Sequence, residues 1–226
     1  MRRIKGYLTI TAILSMGLLS SCEEQQATQN QGNLKISTRM VRSSTAPMQT
    51  AAPMLVFNSG YVVVREVVFD GDMADGRTIS ITEELITTID LVSGIANPPF
   101  LMDIPPGTYT SVNLGIEIQD ETARPSVVAE GMFTNAAGIA TPIRFEFNSG
   151  EVFEANSDEP VTLSAATPAT AKITFDPHIW FSTITAAQLN NAARFNGVIV
   201  VSETRNTGIF NIVADRLDEA TESDFR

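Results

Sequence analysis

The chain contains few of the residues on which several common functions depend. Its 226 residues include one cysteine, one histidine and one tryptophan. A single cysteine excludes an internal disulfide framework, and a single histidine excludes a histidine-rich metal site. Only 15 lysines and arginines stand against 26 acidic residues, which gives a net charge of −11. Because nucleic-acid binding requires cations that neutralise phosphates, we expect no nucleic-acid partner.

The residues that are present favour a globular body. Hydrophobic residues make up 43% of the chain, and its 14 glycines and 11 prolines are close to the average share of these residues in folded proteins. The length suits one domain with appendages, and it is sufficient to bury a sizeable core.

The first 21 residues have the pattern of a secretory signal peptide. A basic start at residues 2–5 precedes an apolar run at residues 7–19, and this run is shorter than the ~20 residues that a membrane-spanning helix needs. The sequence then reads Leu-Ser-Ser-Cys, ending at Cys22. This motif resembles the lipobox of bacterial lipoproteins, which implies cleavage between Ser21 and Cys22 and acylation of Cys22 with fatty acids such as palmitate. The alternative is an ordinary signal peptide that ends at a cysteine by chance.

The lipobox implies an anchor, a tether and a folded domain. Several acyl chains on one residue hold a protein on a membrane almost permanently. Residues 22–33 are the acylated cysteine and a polar, flexible tether, and residues 34–226 are the folded domain. Glu23 and Glu24 resemble the acidic export signal of surface lipoproteins in the Bacteroidota. We therefore expect a lipid-anchored outer-membrane protein whose body lies on the periplasmic or cell-surface face.

Apolar residues alternate with polar ones in much of the folded part. Such alternation at Thr110–Gln119 and at 143–147 predicts strands with one solvated face. Residues 61–69 are apolar on both faces, which predicts a central strand. Further strands are predicted at 34–41, 87–92, 127–134, 161–163, 171–175 and 198–202, with turns at 70–72, 105–107, 135–138 and 148–150. Many short strands at this spacing indicate a mainly β protein, an antiparallel β-sandwich.

Helix signals are confined to the last third of the chain. Asp176 followed by a proline predicts a helical turn through Phe181, and Thr185 can cap a short segment through Asn191. A C-terminal amphipathic helix is predicted to begin at residue 206 or 207, with the acidic residues at 218–224 on its solvated face. Its apolar stripe consists of Ile209, Val213 and Leu217, flanked by Phe210 and Ala214.

Two segments resemble a known family. Residues 86–94, ITTIDLVSG, and residues 102–112, MDIPPGTYTSV, are similar to the segment with the PGTYT motif in an uncharacterised domain of bacterial lipoproteins. The resemblance spans residues 34–118 and implies a prealbumin-like β-sandwich in the cell envelope. That family supplies no catalytic residues, so we expect a non-enzymatic binding or structural module.

The stretch from Asp70 to Gly76 is a candidate calcium loop. Asp70, Asp72 and Asp75 offer carboxylate oxygens, which are the ligands that calcium prefers. Their spacing differs from that of an EF-hand, and aspartate and glycine are also the residues that an ordinary hairpin turn selects. Calcium is the only cofactor that the sequence suggests.

His178 and Trp180 each allow two interpretations. His178 could serve as a catalytic base, or it could lie at the edge of an aromatic core cluster, bonded to Asp176. Trp180 could stack on a glycan, or it could belong to the core.

Arg39 and Arg42 also allow two interpretations, one of which would make the chain a pilus subunit. They could be sites of the arginine-directed processing that lipidated pilins undergo, or they could protect an edge strand from aggregation. The predicted function is therefore a lipid-anchored, non-catalytic envelope protein. A surface glycan-binding protein and a pilus or adhesin subunit are the alternatives. The expected partners are the membrane and an envelope protein or glycan, and the oligomeric state stays open.

Overall fold

The fold of this chain, seen in a computed structural model, is mainly β, as the sequence predicts. The structure describes residues 32–40, 54–100, 102–157, 159–164, 170–217 and 221–225. The strands are β1 (Gly32–Met40), β2 (Met54–Met73), β3 (Thr78–Asp90), β4 (Ala96–Asn97), β5 (Met102–Ile104), β6 (Gly107–Ile118), β7 (Val127–Thr134), β8 (Ala140–Phe147), β9 (Val152–Ser157), β10 (Val161–Leu163), β11 (Thr170–Phe175), β12 (Arg194–Phe195), β13 (Val198–Val201) and β14 (Thr221–Phe225). The helices are α1 (Pro177–Trp180), α2 (Ala186–Asn191) and α3 (Thr207–Ala214).

The long strand β2 organises the larger sheet. Its first half, residues 54–62, pairs with β7, and its second half, residues 64–73, pairs with β6. Residues 61–72 also pair with β3 on the other edge. The register shifts between Val64 and Glu66, where the strand passes from one set of partners to the other. The sheet has ten strands in the order β10-β6-β2-β7-β8-β13-β12, with β3 and β4 beside β2 and β9 beside β6.

A smaller sheet has the order β14-β11-β1-β5. In it β1 runs parallel to β11 and antiparallel to β5. The strand β1 begins at Gly32, so the last two residues of the predicted tether are paired strand residues. Strand β1 therefore changes partner along its length: residues 32–34 pair with β5, and residues 35–40 pair with β11.

The apolar faces of the strands pack into one continuous core. On β2 the inward positions Val67, Phe69 and Met73 are buried, and on β6 Leu114 and Ile116 are buried beside them. The side chains between these positions point to the opposite face, as the two-residue period of a strand requires. A shared core of this kind is compatible with the predicted sandwich.

The three helices follow their local sequence signals. The carboxylate of Asp176 accepts hydrogen bonds from the backbone N–H groups of His178 and Ile179, at 2.9 and 3.4 Å, and caps α1. Thr185 and Gln188 form a reciprocal capping box at α2. In α3 the predicted stripe is confirmed. Its buried residues are Ile209, Phe210 and Val213, and Leu217 is buried just beyond the helix.

Two predictions of local structure are wrong. The predicted turn at 70–72 is part of β2, and the chain turns at residues 74–77 instead. Gly71 is a strand residue that packs against an aromatic ring, since a Cβ on it would lie 2.6 Å from Cδ1 of Tyr109. The predicted acidic end of the C-terminal helix is also wrong. Helix α3 ends at Ala214, and β14 follows as a strand paired with β11, whose edge offers backbone partners that a helix would not use.

Candidate binding surface

Strands β3, β2, β6 and β9 carry polar side chains on their outer face. These side chains lie in rows that run across neighbouring strands. In one row Ser80, Asp70, Asn113 and Asn156 are neighbours in register. In the next row Asp72 lies between Thr78 and Ser111. A shallow groove of about 430 Å³ lies over these two rows. We call this set of seven side chains the polar face.

Hydrogen bonds order most of the polar face. Asp72 accepts hydrogen bonds from the hydroxyls of Thr78 at 2.8 Å and Ser111 at 3.1 Å. The amide nitrogen of Asn113 donates to Oδ1 of Asn156 at 2.6 Å. The side chain of Asp70 is exposed, and it forms no hydrogen bond or ion pair with any residue that the structure describes. Its carboxylate is therefore a free acceptor in the middle of ordered neighbours.

The third predicted calcium ligand, Asp75, lies apart from this face in the turn. It forms an ion pair with Arg77 at 2.8 Å, and the hydrogen bond from that side chain lowers the pKa of the Asp75 carboxyl below its ordinary value. Within the described ranges, no group of three or more histidine, cysteine, aspartate or glutamate residues is placed to hold a metal ion. The structure does not gather Asp70, Asp72 and Asp75 into one site, so the geometry gives the calcium prediction no support.

A row of carboxylates crosses the same strands further along. Glu66 on β2 lies in register with Glu84 on β3 and with Glu117 on β6. Arg65 binds Glu117 at 3.1 Å and Glu121 at 3.4 Å. Among the described residues, Glu66 and Glu84 have no cationic partner. The end of this row on β3 therefore carries uncompensated negative charge. Like charges directly opposite each other destabilise a strand pair, so a cation placed there would be stabilising.

Strand β3 itself was missed by sequence reasoning over residues 78–86. The sequence signal there is weak, because the apolar alternation of Ile79 and Ile81 stops at Glu83 and Glu84. In the structure this stretch pairs with β2 along one edge. Ile79 and Ile81 lie half-buried against the core. The candidate surface therefore includes a strand that the local pattern did not predict.

Trp180 is a core residue. Its side chain has 0% exposure, and its ring lies 5.8 Å from that of Phe145 and 6.1 Å from that of Phe175, measured between centroids. The core interpretation of Trp180 is therefore confirmed, and its alternative, sugar stacking on this ring, is wrong. The physical reason is the position of α1, which places this ring between Phe145 of the larger sheet and Phe175 of the smaller sheet.

His178 also joins the aromatic cluster. Its ring meets Phe57 edge-on at 5.8 Å between centroids, and Asp176 bonds its backbone N–H rather than its ring. Beside it lies a cavity of about 190 Å³, lined otherwise by apolar side chains and by Ser182. The hydroxyl of Ser182 donates to the carbonyl of Ile179. Among the residues that line this cavity, none is therefore a nucleophile from which His178 could take a proton.

The remaining candidates lie in or near the N-terminal segment. Arg39 is part of β1 and pairs with Thr174 of β11. The other described partner of β1, β5, pairs only with residues 32–34, so the interpretation of an edge-protecting arginine stays a prediction. Ser21, Cys22 and Arg42 lie outside the described residues.

No family model, curated protein or solved structure matches the chain. In the part of the chain that the structure describes, none of the helices has the length and apolar character to span a membrane. We therefore infer function from the sequence motifs and the geometry of this chain.

Proposed function

We propose that this chain is a lipid-anchored protein of the bacterial outer membrane whose β-rich body is a non-catalytic binding module. The observation that carries the proposal is the Leu-Ser-Ser-Cys motif ending at Cys22, directly after a basic start and a short apolar run. The resemblance of residues 86–94 and 102–112 to a domain of envelope lipoproteins supports the same location.

The attachment of the anchor to the body supports this proposal. Nine residues, 23–31, separate Cys22 from the first residue of β1. At ~3.3–3.6 Å per residue such a segment spans at most about 30 Å, enough to hold the body clear of lipid headgroups. The strand it leads into is paired from its first residue, with β5 at residues 32–34 and with β11 at residues 35–40. A force from the membrane is therefore transmitted to a hydrogen-bonded strand of the smaller sheet.

Two features support binding as the role of the body: the polar face, and the edge of β3 that β4 pairs with only at Thr88 and Ile89. The polar face presents ordered hydroxyls and amides around the free carboxylate of Asp70. The cavity beside His178, in contrast, offers an apolar lining without a paired nucleophile. Recognition by surface hydrogen bonds fits this distribution of groups better than chemistry at an enclosed site does.

Glycan binding is a second candidate, and the groove over the polar face now favours it. Carboxylate, amide and hydroxyl groups in adjacent rows match the hydroxyls of a sugar chain. This candidate predicts that Asp70→Ala with Asn113→Ala abolishes retention of the full chain on immobilised polysaccharides. The matched change of Glu159→Ala with Glu203→Ala leaves retention unchanged. Equal retention of both double variants would remove this candidate.

The anchor is tested by metabolic labelling with palmitate. We expect label and membrane association in the wild type and neither in Cys22→Ser. A second variant, Cys22→Ser with Ala136→Cys, moves the thiol to an exposed turn and controls for labelling of any cysteine. It is expected to stay unlabelled, and equal label in all three proteins would refute the anchor.

A further inference from the structure

The outer edge of β3 is open along most of its length. Strand β4 pairs with β3 only at Thr88 and Ile89. On that side, none of the other described strands pairs with residues 78–87. A strand edge of this kind presents unpaired N–H and C=O groups, and it is a template for another strand.

The side chains at this edge are incompletely covered. Ile79 and Ile81 face the core yet are only half-buried, and Ile86 at the end of the stretch is 58% exposed. A strand added beside β3 would extend the sheet by one position and cover the exposed parts of Ile79 and Ile81. Backbone pairing would supply affinity, and the alternating side chains would supply specificity.

The charge at this edge of β3 indicates which side chains an added strand should carry. Glu83 and Glu84 are both exposed, and no described residue forms an ion pair with either of them. Glu84 also ends the row of carboxylates that continues with Glu66 and Glu117. Cationic side chains placed beside Glu83 and Glu84 would neutralise this end of the row. Successive residues point to opposite faces, so both faces of the added strand need a cation there.

We infer that the open edge of β3, residues 78–86, binds an extended segment of a partner protein by strand addition. The segment has apolar residues beside Ile79 and Ile81 and lysine or arginine beside Glu83 and Glu84. This inference names the partner class for the binding module proposed above, and it rests on that half of the proposal. The acylation of Cys22 is tested separately, so failure of one test leaves the other intact.

A second copy of the chain fits this edge less well than a basic partner does. Residues 78–86 contain two glutamates and no lysine or arginine, so pairing β3 with β3 would add four carboxylates and no cation from the paired edges. Each copy also carries a net charge of −11, which opposes close approach of two identical acidic surfaces.

Strand addition is tested with two synthetic peptides and the full chain purified in detergent. The peptide TVKKTVTVT places its lysines beside Glu84 and Glu83 when it runs antiparallel to β3, and TVEETVTVT carries glutamates at the same positions. We expect TVKKTVTVT to slow amide hydrogen exchange at residues 78–86 and to bind at least about tenfold more tightly than TVEETVTVT.

Charge reversal at the edge distinguishes strand addition from general attraction to an acidic protein. Glu83→Lys with Glu84→Lys reverses the preference between the two peptides. Glu159→Lys with Glu203→Lys changes the net charge equally at exposed positions away from β3, and it keeps the preference.

Three results would overturn the inference. The first is unchanged exchange at residues 78–86 with both peptides, and the second is equal loss of preference in the two double variants. The third is strong protection, in the free chain, of those amides of residues 78–86 that point away from β2, which means that the edge is already covered. Sedimentation then decides whether a second copy or a segment of the same chain covers it.

Discussion

Trp180 lies in the core and Asp72 lies on the outer face of the larger sheet, so the two side chains have opposite surroundings. Trp180 lies against aromatic rings from β8 and β11, and none of its surface is exposed. Asp72 lies exposed on the polar face, where its carboxylate accepts hydrogen bonds from side-chain hydroxyls of β3 and β6. Both residue types are typical of ligand sites. Strand pairing and the helix cap, rather than residue type, decide which one a ligand can reach.

The largest expected effect in this comparison is in the interior. Trp180→Ala removes a fully buried ring, and we expect it to lower the free energy of unfolding by about 3–5 kcal/mol in a urea titration. Ile179→Ala, at the exposed neighbouring position, is the control and should cost less than about 1 kcal/mol. Similar losses in the two variants would contradict the placement of Trp180 in the core.

A smaller loss is expected when the cap of α1 is removed. Asp176→Ala deletes the acceptor for two backbone N–H groups at the start of the helix that carries Trp180. We expect a loss of about 0.5–2 kcal/mol in the free energy of unfolding. Asp215→Ala, an exposed aspartate at the end of α3, should change it by no more than about 0.5 kcal/mol. No difference between the two variants would show that the cap is unimportant for α1.

On the polar face, substitutions are expected to affect stability less. Asp72→Ala leaves the hydroxyls of Thr78 and Ser111 without their acceptor, and we expect a loss of about 0.5–1.5 kcal/mol. Asp70→Ala, two residues away on the same face, removes no described hydrogen bond and should change stability by no more than about 0.5 kcal/mol. A larger loss at Asp70 than at Asp72 would mean that the order of the polar face has been misassigned.

The smallest expected effect is at the turn beside the polar face. Arg77 lowers the pKa of Asp75, so the ion pair contributes at neutral pH and is lost as the pH falls through the lowered pKa. Both side chains are exposed, so we expect no measurable shift of the unfolding midpoint. NMR titration should give Asp75 a pKa below the ordinary aspartate value in the wild type, and a higher pKa in Arg77→Ala. Equal values in the two proteins would contradict the ion pair.

The sequence predicts those parts of the fold that depend on local pattern. The alternation at Thr110–Gln119 matches β6, and the two-sided apolar pattern at 61–69 falls within β2, which is paired on both edges over much of that range. The caps at Asp176 and Thr185 are visible in the sequence because capping involves residues only two or three positions apart.

The remaining parts depend on distant partners. Residues 78–86 form a strand because β2 pairs with them. Gly71 is a strand residue because it pairs with β3, and the ring of Tyr109 occupies the space that a side chain at this position would take. Neither cause is visible within a short window of sequence. The same holds for the polar face: Asp70 and Asp72 were identified from the sequence, but Asn113 and Asn156 join them only through the pairing of β6 with β2 and β9.

The central claim, that Cys22 anchors this body to a membrane, is tested most directly by mass spectrometry. The protein is purified from the membrane fraction of cells that express the full gene, and its N-terminal peptide is measured. We predict a mature chain that begins at Cys22 and carries covalently attached acyl chains. An N-terminal peptide that includes residues before Cys22, or an unmodified Cys22, would contradict the account.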